Sequence, residues 1–162
     1  MYRNAPVNSF EMFGSRVRVL SGQAETRTPV KSSLCHTAGA HHGSAYFKAL
    51  DDAAFFAAAT LNEDHFVVTT SFTTYLTKPV IPGKSSLLVA RGKVVSATKS
   101  LMLVEAVVTT ETGVEVGRGS GTFMPNSQFM LSQIPGFEDS DFLAEDAELG
   151  SVAPWAEHVR VV

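Results

Sequence analysis

Residues 36–59 read HTAGAHHGSAYFKALDDAAFFAAA: a polar loop with three histidines and two glycines runs straight into a long apolar segment. From Gly43 onward the spacing is helical. Stepping 100° per residue places Phe47, Leu50, Ala54, Ala57, Ala58 and Leu61 within roughly 100° of one another, which predicts a helix from Gly43 to about Leu61. Asp51 falls on the margin of this stripe. Asp52 falls on the far side, four residues after Lys48, where a surface ion pair is available. The two acids therefore point apart. Phe55 and Phe56 widen the apolar surface, so the helix is expected to be covered on most sides. A buried helix with a carboxylate at its edge, entered from a His-Gly loop, is the place in this chain best suited to chemistry.

Outward from the helix, the pattern changes period. Before it, Arg16 to Thr28 is polar and β-branched and reads as one strand, irregular near Gly22. Residues 1–13 are expected to form a short helix ended at Gly14, anchored by Phe10, Met12 and Phe13. After the helix come four runs of strand character, 65–77, 85–97, 101–110 and 114–124. They are separated by Pro79-Val-Ile-Pro-Gly83, a short turn and Thr112-Gly113, which suggests an antiparallel meander. Gly117, Gly119 and Gly121 share one face of the last strand and signal a close backbone approach or a sharp bend. They open no helix after a strand, so they are not a nucleotide-binding fingerprint. A lone apolar helix must be buried, and an antiparallel sheet of about five strands wrapped around it is the α+β arrangement that satisfies every element.

The 162 residues suggest a single domain, with its body over 1–126 and an acidic extension over 127–162. A net charge of −3 argues against nucleic acid as the main partner. Cys35 is the single cysteine, which fits a reducing compartment. Neither a signal-peptide run nor about 18 consecutive apolar residues is found, so a cytoplasmic protein with no membrane span is expected. The three histidines bring no acid or cysteine set with zinc spacing, and no metal is expected.

The loop and helix resemble the hotdog fold, and within it the PaaI-like acyl-CoA thioesterases. That family's pattern is Asn-x-x-Gly-x-x-His-Gly-Gly, followed by an Asp eight residues after the first Gly of the pair. Here the match is His36-x-x-Gly39-x-x-His42-Gly43-Ser44, with Asp51 eight residues after Gly43. The run FTTYLTKPVIPG resembles the family's second strand and exit turn. His36 replaces an Asn or Gln, and Ser44 replaces the second Gly. Val68 stands where the strand often carries a catalytic Ser or Thr; Thr69 reaches that face only if a bulge intervenes.

The resemblance implies a thioester hydrolase that needs no cofactor and acts on an acyl-CoA. It also implies a homodimer or dimer of dimers whose sheets join edge to edge, with helix and loop from one subunit and strand residues from the other at each site. Asp51 would be general base or nucleophile, the Gly43 amide would donate to the oxyanion, and His36 would orient the leaving thiolate or the water. His42, Ser44 and Thr69 would contact substrate, while His41 is assigned to solvent or the subunit contact. Lys78, Lys84, Arg91, Lys93, Lys99 and Arg118 are candidates for meeting the CoA phosphates. On residues alone, Asp51 reads sooner as a helix acid paired with a basic residue of the fold or of a partner subunit, and Gly43 equally as a turn glycine. A non-catalytic acyl-CoA binder and a hydratase pairing His36 or His42 with Asp51 also remain open.

Overall fold

The structure is a computed structural model that describes residues 5–62 and 64–134. Its elements run β1 (Arg16–Leu20), β2 (Gln23–Pro29), α1 (Gly43–Ala59), β3 (His65–Leu76), β4 (Leu87–Ala97), β5 (Met102–Thr110) and β6 (Glu115–Met130). Short 3-10 turns lie at Pro6–Asn8, Ser32–Leu34 and Leu131–Gln133. The six strands form one antiparallel sheet in the order β1-β2-β4-β5-β6-β3, and α1 packs across it. This is the hotdog architecture, with six strands rather than five.

The extra strand comes from the region expected as one irregular strand. Gly22 adopts φ +70 and closes a tight hairpin in which Leu20 pairs with Gln23. A positive φ is cheap for glycine, so the irregularity is a reversal of the chain. At the other end β6 continues to Met130, whose partner is His65, and so passes residue 126. The acid-rich run 138–148 lies outside the described residues.

The helix sinks deep because its inner face is alanine. Ala45, Ala49, Ala53, Ala54, Ala57 and Ala58 are buried together with Tyr46 and Leu50. Phe47 and Leu61, placed in the apolar stripe by spacing, stay exposed at 42% and 37%. Small side chains let the sheet reach the helix backbone. Thr26 Oγ1 donates to the Ala49 carbonyl at 3.0 Å. A Cβ on Gly92 of β4 would run into the Ala53 carbonyl, so a glycine is required there. Gly119 and Gly121 do answer a close approach, because Phe72 of β3 lies across them.

The N-terminal segment is anchored differently from expectation. Phe10 and Met12 are exposed, at 78% and 51%. The segment is held through its polar groups instead: Lys31 Nζ donates to the Phe10 and Met12 carbonyls, and Lys48 Nζ donates to Asn8 Oδ1 at 2.8 Å.

Candidate active site

The entry loop builds its own helix cap. His42 is the N-cap, its Nδ1 accepting from the Ser44 N–H at 3.2 Å and lying 2.9 Å from Ser44 Oγ. The His41 and His42 amides donate to the Val80 and Leu34 carbonyls, each at 2.8 Å. The Gly43 amide occupies the first helical position, where an N–H has no acceptor within the helix and the dipole favours negative charge. Gly43 lines a cavity of about 310 Å³ with His36, Tyr46, Leu76 and Lys78. A Cβ there would meet Leu76 Cδ1 at 3.3 Å, so glycine keeps the amide approachable. His36 sits on the exposed rim, with its Nδ1 accepting from the Ala38 N–H at 3.1 Å.

His41 departs from expectation: it is buried rather than at the surface. Its Nε2 accepts from the Lys31 N–H at 3.1 Å, so in the neutral ring the proton rests on Nδ1. That Nδ1 is buried with no partner among the described residues. Burial lowers the His41 pKa.

Asp51 lies two turns further along α1, half-buried, and Thr69 Oγ1 donates to its Oδ1 at 3.0 Å. Thr69 reaches the helix because the β3–β6 register slips between Thr69 and Ser71. Past that bulge Phe72 and Leu76 lie against the inner side, Phe72 edge-on to Phe47 and Leu76 by Gly43. Before it, Val67 and Thr69 do. Without the extra residue, strand alternation would have put Val68 at the carboxylate. Burial raises the Asp51 pKa above the ordinary carboxylate value, as does neighbouring Asp52; the Thr69 hydroxyl and Lys48 pull it back. Asp52 is paired with Lys48, as its spacing suggested. Asp51 and Thr69 open onto a cavity of about 450 Å³, walled by Phe55, Phe56, Phe66, Val67 and Val7.

Gly43 and Asp51 thus line different cavities of one chain. Eight residues of helix separate them by about 12 Å along the axis. The hydroxyl bonded to Asp51 belongs to the same chain. Of the candidate cations, Lys78 lines the Gly43 cavity, whereas Arg91 is bonded to buried Glu25 at 2.8 Å and Arg118 to Glu115 at 2.7 Å. Among the described residues, no three His, Cys, Asp or Glu side chains gather into a metal-holding group. No helix among them is long and apolar enough to cross a membrane.

Comparison with known proteins adds to this geometry. Residues 38–117 match the thioesterase superfamily model. Among curated proteins, no sequence matches the chain. Solved structures of the same fold include the PaaI protein of E. coli, from its phenylacetic acid degradation operon. It is 17% identical, with 70% of this chain and 80% of that one covered and a TM-score of 0.65. A thioesterase family protein from Silicibacter pomeroyi is 24% identical over 74% of this chain and 88% of that one, with a TM-score of 0.66. A mutant of the phenylacetic acid degradation protein PaaI from Thermus thermophilus is 21% identical over 69% of this chain and 93% of that one, with a TM-score of 0.62. At these identities the likeness is one of fold.

Proposed function

From the premise that this chain belongs to the thioesterase superfamily, we propose that it hydrolyses an acyl-CoA or aryl-CoA thioester to the free acid and CoA. The observation that carries this reading is the Asp51 carboxylate, half-buried, held by a same-chain threonine hydroxyl and opening onto an apolar, phenylalanine-walled cavity. Thr69 occupies Oδ1, so Oδ2 is left to face a reactant. Partial desolvation raises the carboxylate's basicity, which suits removal of a proton from water. Water adds to the carbonyl carbon, the carbonyl electrons move onto oxygen, and Asp51 holds the water's proton. Collapse then expels the thiolate, which takes that proton. Direct attack by Asp51, through a transient anhydride, gives the same products.

The oxyanion needs a donor, and the Gly43 amide at the N-terminus of α1 has that character. Because one chain holds Gly43 about 12 Å from Asp51 along the helix, the working unit in this reading is a homodimer, alone or in a dimer of dimers. Each Asp51 then faces the Gly43 of a second copy. The edge position of β3 among the described strands, with Tyr75 and Leu76 exposed, supports this assembly. His36, on the rim of the Gly43 cavity, would orient the thiol, His42 and Ser44 would shape that rim, and Lys78 would meet a CoA phosphate. The hydratase alternative calls for an imidazole at the carboxylate, and the group bonded to Asp51 is a threonine hydroxyl.

The test is release of free thiol from a panel of acyl- and aryl-CoAs by the wild type and by Asp51→Asn. Turnover by the wild type and a loss of at least about 10²-fold in kcat for the variant are expected for removal of a general base. A wild type inert across the panel, or an equally active variant, sinks the reading.

A further inference from the structure

The cavity at Asp51 is lined in part by residues that lie outside the family-matched region. The superfamily match begins at residue 38. Ala5, Val7 and Asn8, from the Pro6–Asn8 turn and the residue before it, nevertheless line the Asp51 cavity opposite β3. The turn is pinned there. Asn8 is buried, its Oδ1 accepts from Lys48 Nζ at 2.8 Å, and the same ammonium pairs with Asp52 and lies 5.7 Å from the centre of the Phe13 ring. On the far side Lys31 holds the Phe10 and Met12 carbonyls. The segment is thus held just C-terminal to Val7, at Asn8 and again at Phe10 and Met12.

The chemistry of the space selects its occupant. Beyond Asp51 and Thr69 the lining is largely apolar, with Phe55 and Phe66 packed 5.4 Å apart at their ring centres. About 450 Å³ lies within the range of small-ligand sites. Among the described residues the cation lining the cavity is Lys48, bonded to Asp52 and Asn8, and Asp51 adds a further carboxylate, so the space suits an uncharged group better than an anionic one.

We propose that this cavity is the acyl slot of the site, that it takes an uncharged apolar acyl group, and that Val7 on the Pro6–Asn8 turn sets the length it admits. The inference rests on the thioesterase reading for the identity of the ligand.

The experiment uses S-alkyl-CoA thioethers from butyl to dodecyl, which have no acyl–sulfur bond to cleave. Their binding to the full chain is measured by calorimetry for the wild type, Val7→Phe, Val7→Ala and Met12→Ala. Thermal melts establish that each variant is folded. Wild-type affinity is expected to rise about fourfold per methylene, the increment of burying one such group, until the chain reaches the wall, and then to level off. Val7→Phe should move that plateau to a shorter chain and Val7→Ala to a longer one. Met12→Ala, on the same segment but not lining the cavity, should track the wild type. A plateau at the same length in all four proteins overturns the inference, as does affinity with no dependence on chain length. Because nothing is turned over, the two readings separate. Graded binding by a protein that hydrolyses no acyl-CoA overturns the catalytic reading and keeps the slot. Hydrolysis with an unmoved plateau overturns the slot and keeps catalysis. No binding of any thioether overturns the slot whatever the hydrolysis panel gives.

Discussion

Asp51 carries opposing influences whose balance can be measured. Burial holds its pKa above the ordinary carboxylate value and Asp52 adds to this, while the Thr69 hydroxyl works against it. The folded state therefore binds the Asp51 proton more tightly than the unfolded chain does. The stability this contributes is fully present below the ordinary carboxylate pKa and is lost as pH rises through the folded-state value. Near neutral pH the ionised group is a cost, so Asp51→Asn should melt above the wild type at pH 7, with the gap closing in acid. A catalytic variant that gains stability is the outcome expected of a strained functional group rather than a structural one. Thr69→Val has the opposite diagnostic. It removes a hydrogen bond to the ionised form, so the pKa of Asp51 rises and the acid limb of the kcat/KM profile moves to higher pH. At the plateau a loss of about tenfold is expected, the equivalent of about 1.5 kcal/mol for a hydrogen bond to a charged group. An unmoved acid limb would mean that Asp51 is not the titrating base. His41 responds to acid in its own way. Its pKa is lowered in the folded state, so the stability tied to its neutral ring is present above the ordinary histidine pKa and lost as pH falls. A protonated ring could no longer accept the Lys31 N–H.

At the scale of elements, α1 and the sheet approach so closely that one methyl group is felt. In Gly92→Ala the new Cβ would meet the Ala53 carbonyl, a backbone group that cannot swing aside. Overpacking of this kind costs about 1–3 kcal/mol, and the change should appear as a lowered denaturation midpoint with an unchanged slope. The same closeness explains what could be read from the sequence. The 3.6-residue spacing after Gly43 was enough to find α1, and the turn residues were enough to find β3 to β6. Which helical residues are buried was harder to read, because large side chains draw the eye and here alanines line the contact while Phe47 stays exposed. The face of β3 was not readable at all from alternation. One extra residue at Thr70 exchanges Val68 for Thr69 at the carboxylate, and no residue in the run Val67 to Ser71 announces it. The Arg16–Thr28 region shows the milder failure: Gly22 was visible as an irregularity, but whether a glycine kinks a strand or reverses it depends on its partners. His41 and His42 are neighbours with opposite fates, one buried under the loop and one capping the helix. Sequence adjacency carries no signal that separates them.

At the scale of the whole molecule, the motif that was easiest to read poses the sharpest question. Gly43 and Asp51 are eight residues apart, yet a helix rises about 1.5 Å per residue, so they cannot meet on one carbonyl within a chain. If the site is built across a homodimer, the two functions can be removed from different chains and recovered by mixing. Gly43→Pro suits this purpose. Proline at the first helical position is well tolerated and lacks only the N–H that is free there in any case. The preceding residue His42, at φ −66 and ψ 145, already has the extended conformation that proline demands of its neighbour. Gly43→Pro alone should lose about 10²–10³ in kcat, the cost of deleting one oxyanion donor, while Gly43→Ala, which keeps the N–H, should lose far less. Asp51→Asn alone loses the base. In a mixed dimer of the two, one site carries both lesions and the other carries neither, because its Gly43 comes from the Asp51→Asn chain and its Asp51 from the Gly43→Pro chain. Random reassociation of equal amounts should then restore about a quarter of wild-type activity, half of the dimers being mixed and each holding one intact site. If both groups act within one chain, every site in every dimer is defective, and mixing two inactive proteins yields an inactive mixture.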